Sequence, residues 1–359
     1  MSPINQDMKH LKLLILIAWL TVAYTTKAQI VVEAGNAESL LAAIERANLQ
    51  NADTLSERLF ILIPDGVYDL GERVLTSISG HNIALVGQSM EGTIIVNAPK
   101  VENEGISTTA TLLNRGHHTY VQDLTLKNAL DYYHSGAAGR AVCWQDKGDG
   151  TIFKRVRMLS YQDTYYSNNE RGHSYFEDSE IHGAVDFICG AGDVFFTHCL
   201  LVMEKRRQNG GGRDIIAAPR TSKTDWGYVF SHCTIRSNNT DFVYARGWRE
   251  QPYCTWLYTT LEQPEHLQSS RFEPRGMRTI QSRFQEYGTM DAHGRNITPK
   301  SNVVTFTLNG EENTTETIIT KKEAERYALK NVYPQWRPDK KARTLEKQSA
   351  RMMKRYLRL

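Results

Sequence analysis

The stretch Phe153-Lys-Arg-Val-Arg-Met158 returns in altered form as Phe176-Glu-Asp-Ser-Glu-Ile181, Phe196-Thr-His-Cys-Leu-Leu201 and Phe230-Ser-His-Cys-Thr-Ile235, and is preceded by Val121-Gln-Asp-Leu-Thr-Leu126. Each copy puts an apolar residue first, a small or apolar residue fourth and an apolar residue sixth. The successive offsets of 32, 23, 20 and 34 residues fit a unit of a little over twenty residues, with longer loops inserted into some turns. Short strands at that period, punctuated by Asn, Asp and Gly, predict a parallel β-helix in which each coil buries its inward side chains on the next. The expected class is therefore all-β, a parallel solenoid. A β-sandwich is the alternative, but the hairpin turn signals it needs at shorter spacing are not evident.

The same style begins earlier, with Phe60-Ile-Leu-Ile63 before Pro64-Asp-Gly-Val-Tyr68 and Ile83-Ala-Leu-Val-Gly87 after it. Ahead of those strands, Glu38 to Ala47 carries Leu40, Leu41 and Ile44 at helical spacing, which suits a cap over the open end of the solenoid. After about Leu308 the pattern turns helical, and Thr320-Lys-Lys-Glu323 reads as a capping box opening a helix through Lys330, broken by Pro334 and Pro338. From Arg337 onward the chain has nine Lys or Arg against two acids. Leu345, Met352, Tyr356 and Leu359 could form one apolar stripe of a basic amphipathic helix, with a solvated tail as the simpler expectation. The division expected is a signal segment 1–28, a β-helix catalytic domain 29–308, a helical segment 309–338 packing on it, and a basic helical or disordered tail 339–359.

Hydrophobic residues at 40% and charged residues at 23% are enough for a substantial core in a chain of 359 residues. A net charge of +3 gives no ground for binding nucleic acid. Lys9 and Lys12 precede the apolar run Leu13 to Ala23, and Thr26-Lys-Ala28 offers a small residue for cleavage before Gln29. That reads as a secretory signal, too short to span a bilayer, and predicts a secreted or periplasmic protein without stable membrane insertion. The five cysteines, 143, 189, 199, 233 and 254, are odd in number and lack zinc-ligand spacing. Cys143 and Cys189 read as buried thiols, whereas Cys199 and Cys233 occupy equivalent repeat positions and could be stacked and bridged.

Two aspartates stand 23 positions apart, Asp163 in Ser160-Tyr-Gln-Asp-Thr164 and Asp186 in Val185-Asp-Phe-Ile-Cys-Gly190. If that spacing is one turn of the solenoid, the carboxylates are stacked ~4.8 Å apart along the stacking direction. Like charges that close drive one group to hold its proton and leave the other anionic, which supplies an acid and a nucleophile or base together. Taken singly, either aspartate could be a turn residue bonding backbone amides. His117, His118, His173 and His182 form no metal-ligand spacing, and no metal or organic cofactor is expected.

The ordered run Tyr161-Gln-Asp-Thr-Tyr-Tyr166, Val185-Asp-Phe-Ile-Cys-Gly190 and Ala245-Arg-Gly-Trp248 resembles the signature of the pectin methylesterases, carbohydrate esterases built on a right-handed parallel β-helix. Weaker echoes keep the order: Gly66-Val-Tyr68, Gly139-Arg-Ala-Val142, Phe284-Gln-Glu-Tyr-Gly288, Glu323-Ala324 and Trp336, so the likeness runs from about residue 31 to 338. By that resemblance Asp186 corresponds to the nucleophile on the C6 methyl ester of a galacturonate unit. Asp163 corresponds to the acid for leaving methanol and the base for the water, and Arg246 pairs with the nucleophile. Beside a guanidinium Asp186 should stay anionic, and Asp163 should keep its proton. Gln162 matches an oxyanion donor, a role commonly worth roughly 3 to 4 kcal/mol of barrier. Trp248 and Tyr166 match aromatics lining the sugar groove, and Phe187 and Arg140 are counted with them as substrate-binding. The partner implied is methyl-esterified pectin, and a monomer is the default expectation.

Three positions depart from the family pattern: Arg140 where a second oxyanion glutamine is usual, Cys189 in place of phenylalanine, and Gly247 in place of proline. A guanidinium at Arg140 could still donate to the oxyanion or grip a free carboxylate on the polymer. Loss of an aromatic wall opens the pocket and points to a branched pectic substrate. The rival readings are a β-helical glycoside hydrolase, since carboxylates about 5 Å apart also suit a retaining mechanism, and a non-catalytic carbohydrate-binding β-helix. A calcium-dependent lyase would need an acidic metal cluster instead.

Overall fold

In an unbent strand the first and fourth residues of a six-residue repeat point to opposite faces, yet here both are apolar. The computed structural model, which describes residues 29–100, 105–135, 139–207, 213–249, 251–279 and 283–358, resolves this. The third residue of every repeat, Asp123, Arg155, Asp178, His198 and His232, has left-handed backbone with φ of 50 to 56°. That bend restores the fourth side chain to the interior, so Leu124, Val156, Ser179, Cys199 and Cys233 are all buried, as are Leu126, Met158, Ile181, Leu201 and Ile235 at the sixth position. Asp and His tolerate this conformation better than most residues.

The bend folds one continuous 17-stranded parallel sheet into two sides of the solenoid, and an eight-stranded parallel sheet forms the third. Phe153, Phe176, Phe196, Phe230 and Trp256 pair in register from coil to coil. Their rings stack inside the solenoid with centroids 4.2, 4.7, 4.5 and 3.9 Å apart. Cys199 and Cys233 are stacked as their repeat positions predict, but both are free buried thiols. The sheet containing the third side runs through Trp144–Asp146, Tyr165–Ser167, Val185–Gly190, Asp214–Pro219 and Phe242–Arg246, and the aspartates of interest lie on it.

The helix Ala37–Gln50 buries Leu40, Ala43, Ile44 and Ala47 over the first coil, with Asn36 capping its first turn by accepting from the Ser39 amide. The other end departs from the helical reading. Val303–Leu308 and Glu311–Glu316 form an antiparallel hairpin, because Asn309 and Gly310 both adopt positive φ, the Asn-Gly turn that two-residue hairpins favour. The capping box at Thr320 and Glu323 is present, but the helix it opens ends at Ala324, and a second short helix spans Leu329–Val332.

The basic segment forms the helix Pro338–Tyr356, which buries Ala342, Leu345, Ser349 and Met353. Met352 and Tyr356 pack partly against the same cluster, and Leu359 lies outside the described residues. This helix covers the outer side of the first strands, where Phe60, Leu62, Val86, Tyr120, Ile152 and Tyr175 form an apolar surface. Parallel strands apolar on both faces need such a cover. The Ser349 hydroxyl donates to Gln122 at 2.9 Å, and Arg155 pairs with Glu346. The segment read as an export signal lies outside the described residues, and no helix among those described is long and apolar enough to cross a membrane.

Candidate active site

Tyr165 pairs with Ile188, so Asp163 and Asp186 hold the same position on consecutive coils, Asp163 two residues before the strand Tyr165–Ser167 and Asp186 at the start of Val185–Gly190. Both are in the left-handed region, at φ 57° and 49°, and both are buried. The bridge from Arg140 to Gln162 to Val185 lies one residue earlier on each coil. Arg140 therefore stacks one coil before Gln162, and the sequence pair of donor candidates becomes a spatial pair.

The environments of the two carboxyls differ. Asp186 accepts from the Arg246 guanidinium, with Nε at 2.9 Å from Oδ1 and Nη2 at 2.5 Å from Oδ2. This is the bidentate fork of a charge-assisted pair. Arg246 is anchored in turn by donating from Nη1 to the Gly247 carbonyl at 2.9 Å. Asp163 has weaker company: Arg140 Nε stands 3.6 Å from Oδ2, and the Cys189 thiol donates towards Oδ1 at 3.7 Å. Burial, reinforced by the Asp186 charge, pushes the Asp163 carboxyl up to about 8, against the smaller downward pull of Arg140, Cys189 and Arg246. One buried group is thus a clamped carboxylate and its neighbour a proton donor near neutral pH.

Outside this pair, Tyr166, Cys189, Ala218, Val142 and Ala110 form a small apolar floor with Trp248 packed on it. The Tyr166 and Trp248 rings lie 6.0 Å apart. Trp248 is held by its amide donating to the Pro219 carbonyl at 3.0 Å, and the Arg220 guanidinium sits 5.6 Å from its ring centroid. Arg220 and Tyr166 share Asn168 Oδ1 as acceptor. Arg220 escaped the sequence reading because the strand Asp214–Pro219 lacks the six-residue repeat that would have set its register.

Phe187 is a correction. It is fully buried in the interior core rather than on the groove, because the left-handed turn at Asp186 sends the next side chain inward. Gly183 makes room for it: a Cβ there would stand 2.1 Å from Phe187 Cβ. Among the described residues no group of three His, Cys, Asp or Glu is arranged to hold a metal ion.

A family model described as Pectinesterase matches residues 29–265. Probable pectinesterase 50 of Arabidopsis thaliana is 27% identical over 241 residues, 64% of this chain and 64% of its own length. A pectinesterase/pectinesterase inhibitor of Ficus pumila var. awkeotsang is 31% identical over 186 residues, 51% of this chain and 32% of its own. The chain thus spans less than two thirds of these curated relatives. Among solved structures, a mutant pectin methylesterase in complex with a hexasaccharide gives a TM-score of 0.67 at 22% identity, covering 86% of this chain and 97% of that one. Pectin methylesterase PemA from Erwinia chrysanthemi gives 0.63 at 23% identity, covering 82% and 93%. At those identities the likeness is one of fold.

Proposed function

This chain belongs to the pectinesterase family, and on that premise we propose that it hydrolyses the C6 methyl ester of galacturonate units in pectin, releasing methanol and a free carboxylate. The observation that carries this reading is the split pair: Asp186 clamped by Arg246, and Asp163 beside it with its proton held up to about pH 8. Asp186 attacks the ester carbonyl through a carboxylate oxygen. The negative charge that develops on the carbonyl oxygen meets the Gln162 amide and the Arg140 guanidinium, donors stacked on adjacent coils. As the tetrahedral intermediate collapses, the C–O bond to methoxide breaks and Asp163 delivers its proton to form methanol. The acyl-enzyme anhydride is then cleaved by water, whose proton returns to the now ionised Asp163 while Asp186 leaves as carboxylate.

Trp248 and Tyr166 offer the aromatic wall of a sugar groove, and the cations Arg140, Arg220 and Arg246 suit a polymer rich in uronic acid. The small side chain of Cys189 in the floor beside Trp248 supports use of a bulkier, branched pectin. Pectin lies outside the cytoplasm, which agrees with a secreted or periplasmic site of action.

The test is methanol release from highly methyl-esterified pectin by the purified protein and its Asp186→Asn variant, with chelator present. Methanol from the first and none from the second is expected. New reducing ends without methanol would replace this reading with a glycosidase on the same scaffold.

A further inference from the structure

Tyr161, two residues before Asp163, lines a cavity of about 500 Å³ between the ends of two strands, Tyr120–Asn128 and Thr151–Leu159, and the segment that follows the first. Its aromatic corner is preassembled. Tyr132 and Tyr161 stack with centroids 4.6 Å apart and planes within 3°. Tyr133 stands edge-on to both, at 5.3 and 5.2 Å. Arg207 closes the assembly from behind, 5.3 Å from the Tyr132 centroid and donating to the carbonyls of Tyr132 and Ser135 at 3.1 and 2.9 Å. Tyr132 is therefore enclosed, while Tyr133 is 46% exposed and its hydroxyl donates to the Lys205 carbonyl at 2.8 Å. An exposed tyrosine held this firmly has already lost the side-chain entropy that binding would otherwise cost.

The polar wall is equally fixed. His182 joins Glu204 through Nδ1 and Glu180 through Nε2, both at 2.6 Å. Burial opposes its protonation, but the two carboxylates outweigh burial and raise its affinity for the proton. Among the described residues Glu204 Oε2 accepts a long 3.4 Å contact from Asn238, which leaves acceptor capacity for hydroxyl groups. Lys127 and His182 on this lining are matched by Asp131 and Glu204, in contrast to the arginine-rich ester site. A charge-balanced pocket with a fixed, exposed tyrosine and a hydroxyl acceptor selects a neutral sugar rather than a uronate.

We infer that this cavity is a subsite for a neutral pyranose carried as a branch on the galacturonan, bound beside the unit whose ester is cleaved. The inference rests on the esterase reading for its place in the reaction, and its binding test stands apart from catalysis. The experiment compares a de-esterified galacturonan oligosaccharide bearing one neutral pyranose branch with its unbranched counterpart and with the free monosaccharide, by calorimetric titration against the wild-type protein, Tyr133→Ala and Tyr133→Phe. The branched ligand is expected to bind more tightly than the unbranched one. That gain should fall roughly tenfold in Tyr133→Ala, as loss of one aromatic contact allows, and survive in Tyr133→Phe, with binding of the unbranched ligand unchanged throughout. Equal binding of branched and unbranched ligands, an equal fall for both in Tyr133→Ala, or Tyr133-dependent binding of the free sugar with no gain from the branch would each overturn it. Methanol assays on the esterified forms report separately on the esterase reading: if no ester is cleaved while the branch gain persists, the site binds branched galacturonan without that chemistry.

Discussion

Arg140 Nε lies 3.6 Å from Oδ2 of the proton-bearing Asp163, whereas Arg246 is committed to Asp186. In the proposed mechanism the first cation therefore tunes the acid and the second holds the nucleophile.

The pH profile should report that division. Asp163 must carry a proton to release methanol, so kcat/KM should fall as pH rises through about 8. Arg140 pulls the Asp163 value down, so Arg140→Gln should move the alkaline limb to higher pH. An unmoved or lowered alkaline limb would separate Arg140 from the acid.

Asp163 also costs stability, with a sign that can be checked. Its folded value of about 8 exceeds the ordinary 3.8, so between those limits the folded state holds a proton that the unfolded chain has lost. Stability then falls as pH rises from about 4 to about 8 and levels off beyond. Asp163→Asn should abolish turnover yet raise Tm at pH 8, on the order of a few kcal/mol of stability, with little change at pH 4. Asn is also at ease with the φ of 57° at this position. Thermal melts of both proteins at the two pH values decide it.

Removing the other carboxylate should act oppositely. Asp186→Asn leaves Arg246 buried without its counter-ion, a change that typically costs about 3–5 kcal/mol when a buried pair is broken. The loss should be softened here because the repulsion felt by Asp163 disappears as well. A lower Tm together with a native circular dichroism spectrum is expected, and a raised Tm would show that the pair is a net burden.

The helix Pro338–Tyr356 should be a required part of the fold. Leu345→Ala should lower stability by about 2–3 kcal/mol in a denaturant titration. A chain ending before Pro338 should bind a hydrophobic dye through the uncovered Tyr120, Ile152 and Tyr175. Dye binding no greater than that of the full chain would mean that this surface is covered some other way.

All five cysteines are free and buried, and burial pushes the Cys143 thiol up to about 12. A thiol reagent at pH 8 should find none of them in the native protein and all of them after unfolding. Rapid labelling of Cys189 alone would show that the ester pocket opens to its floor.

Much of the solenoid was legible because its repeat is chemical as well as geometric: the first and sixth residues are apolar, and the fourth apolar or small, wherever a coil turns its corner. Asp163, Asp186 and Arg246 were legible because order along the chain becomes stacking in space. Phe187 was not, since the left-handed turn at Asp186 reverses the side-chain alternation and no residue type announces it. The hairpin after Leu308 was announced, by Asn309-Gly310, but the polar strand Glu311–Glu316 has no core side to give it a period. The docking of the final helix depends on an apolar face outside the solenoid. The cluster of Tyr132, Tyr133 and Tyr161 joins a turn to a loop that no repeat relates to it.

The aromatic column from Phe153 to Trp256 runs alongside the coils that carry the two carboxylates. Because backbone pairing sets the rise per coil, the gap between the two carboxylates is metered by the scaffold and owes nothing to the loops around it. Loops can lengthen, shrink or change sequence, and the two carboxylates will still face each other at one fixed gauge.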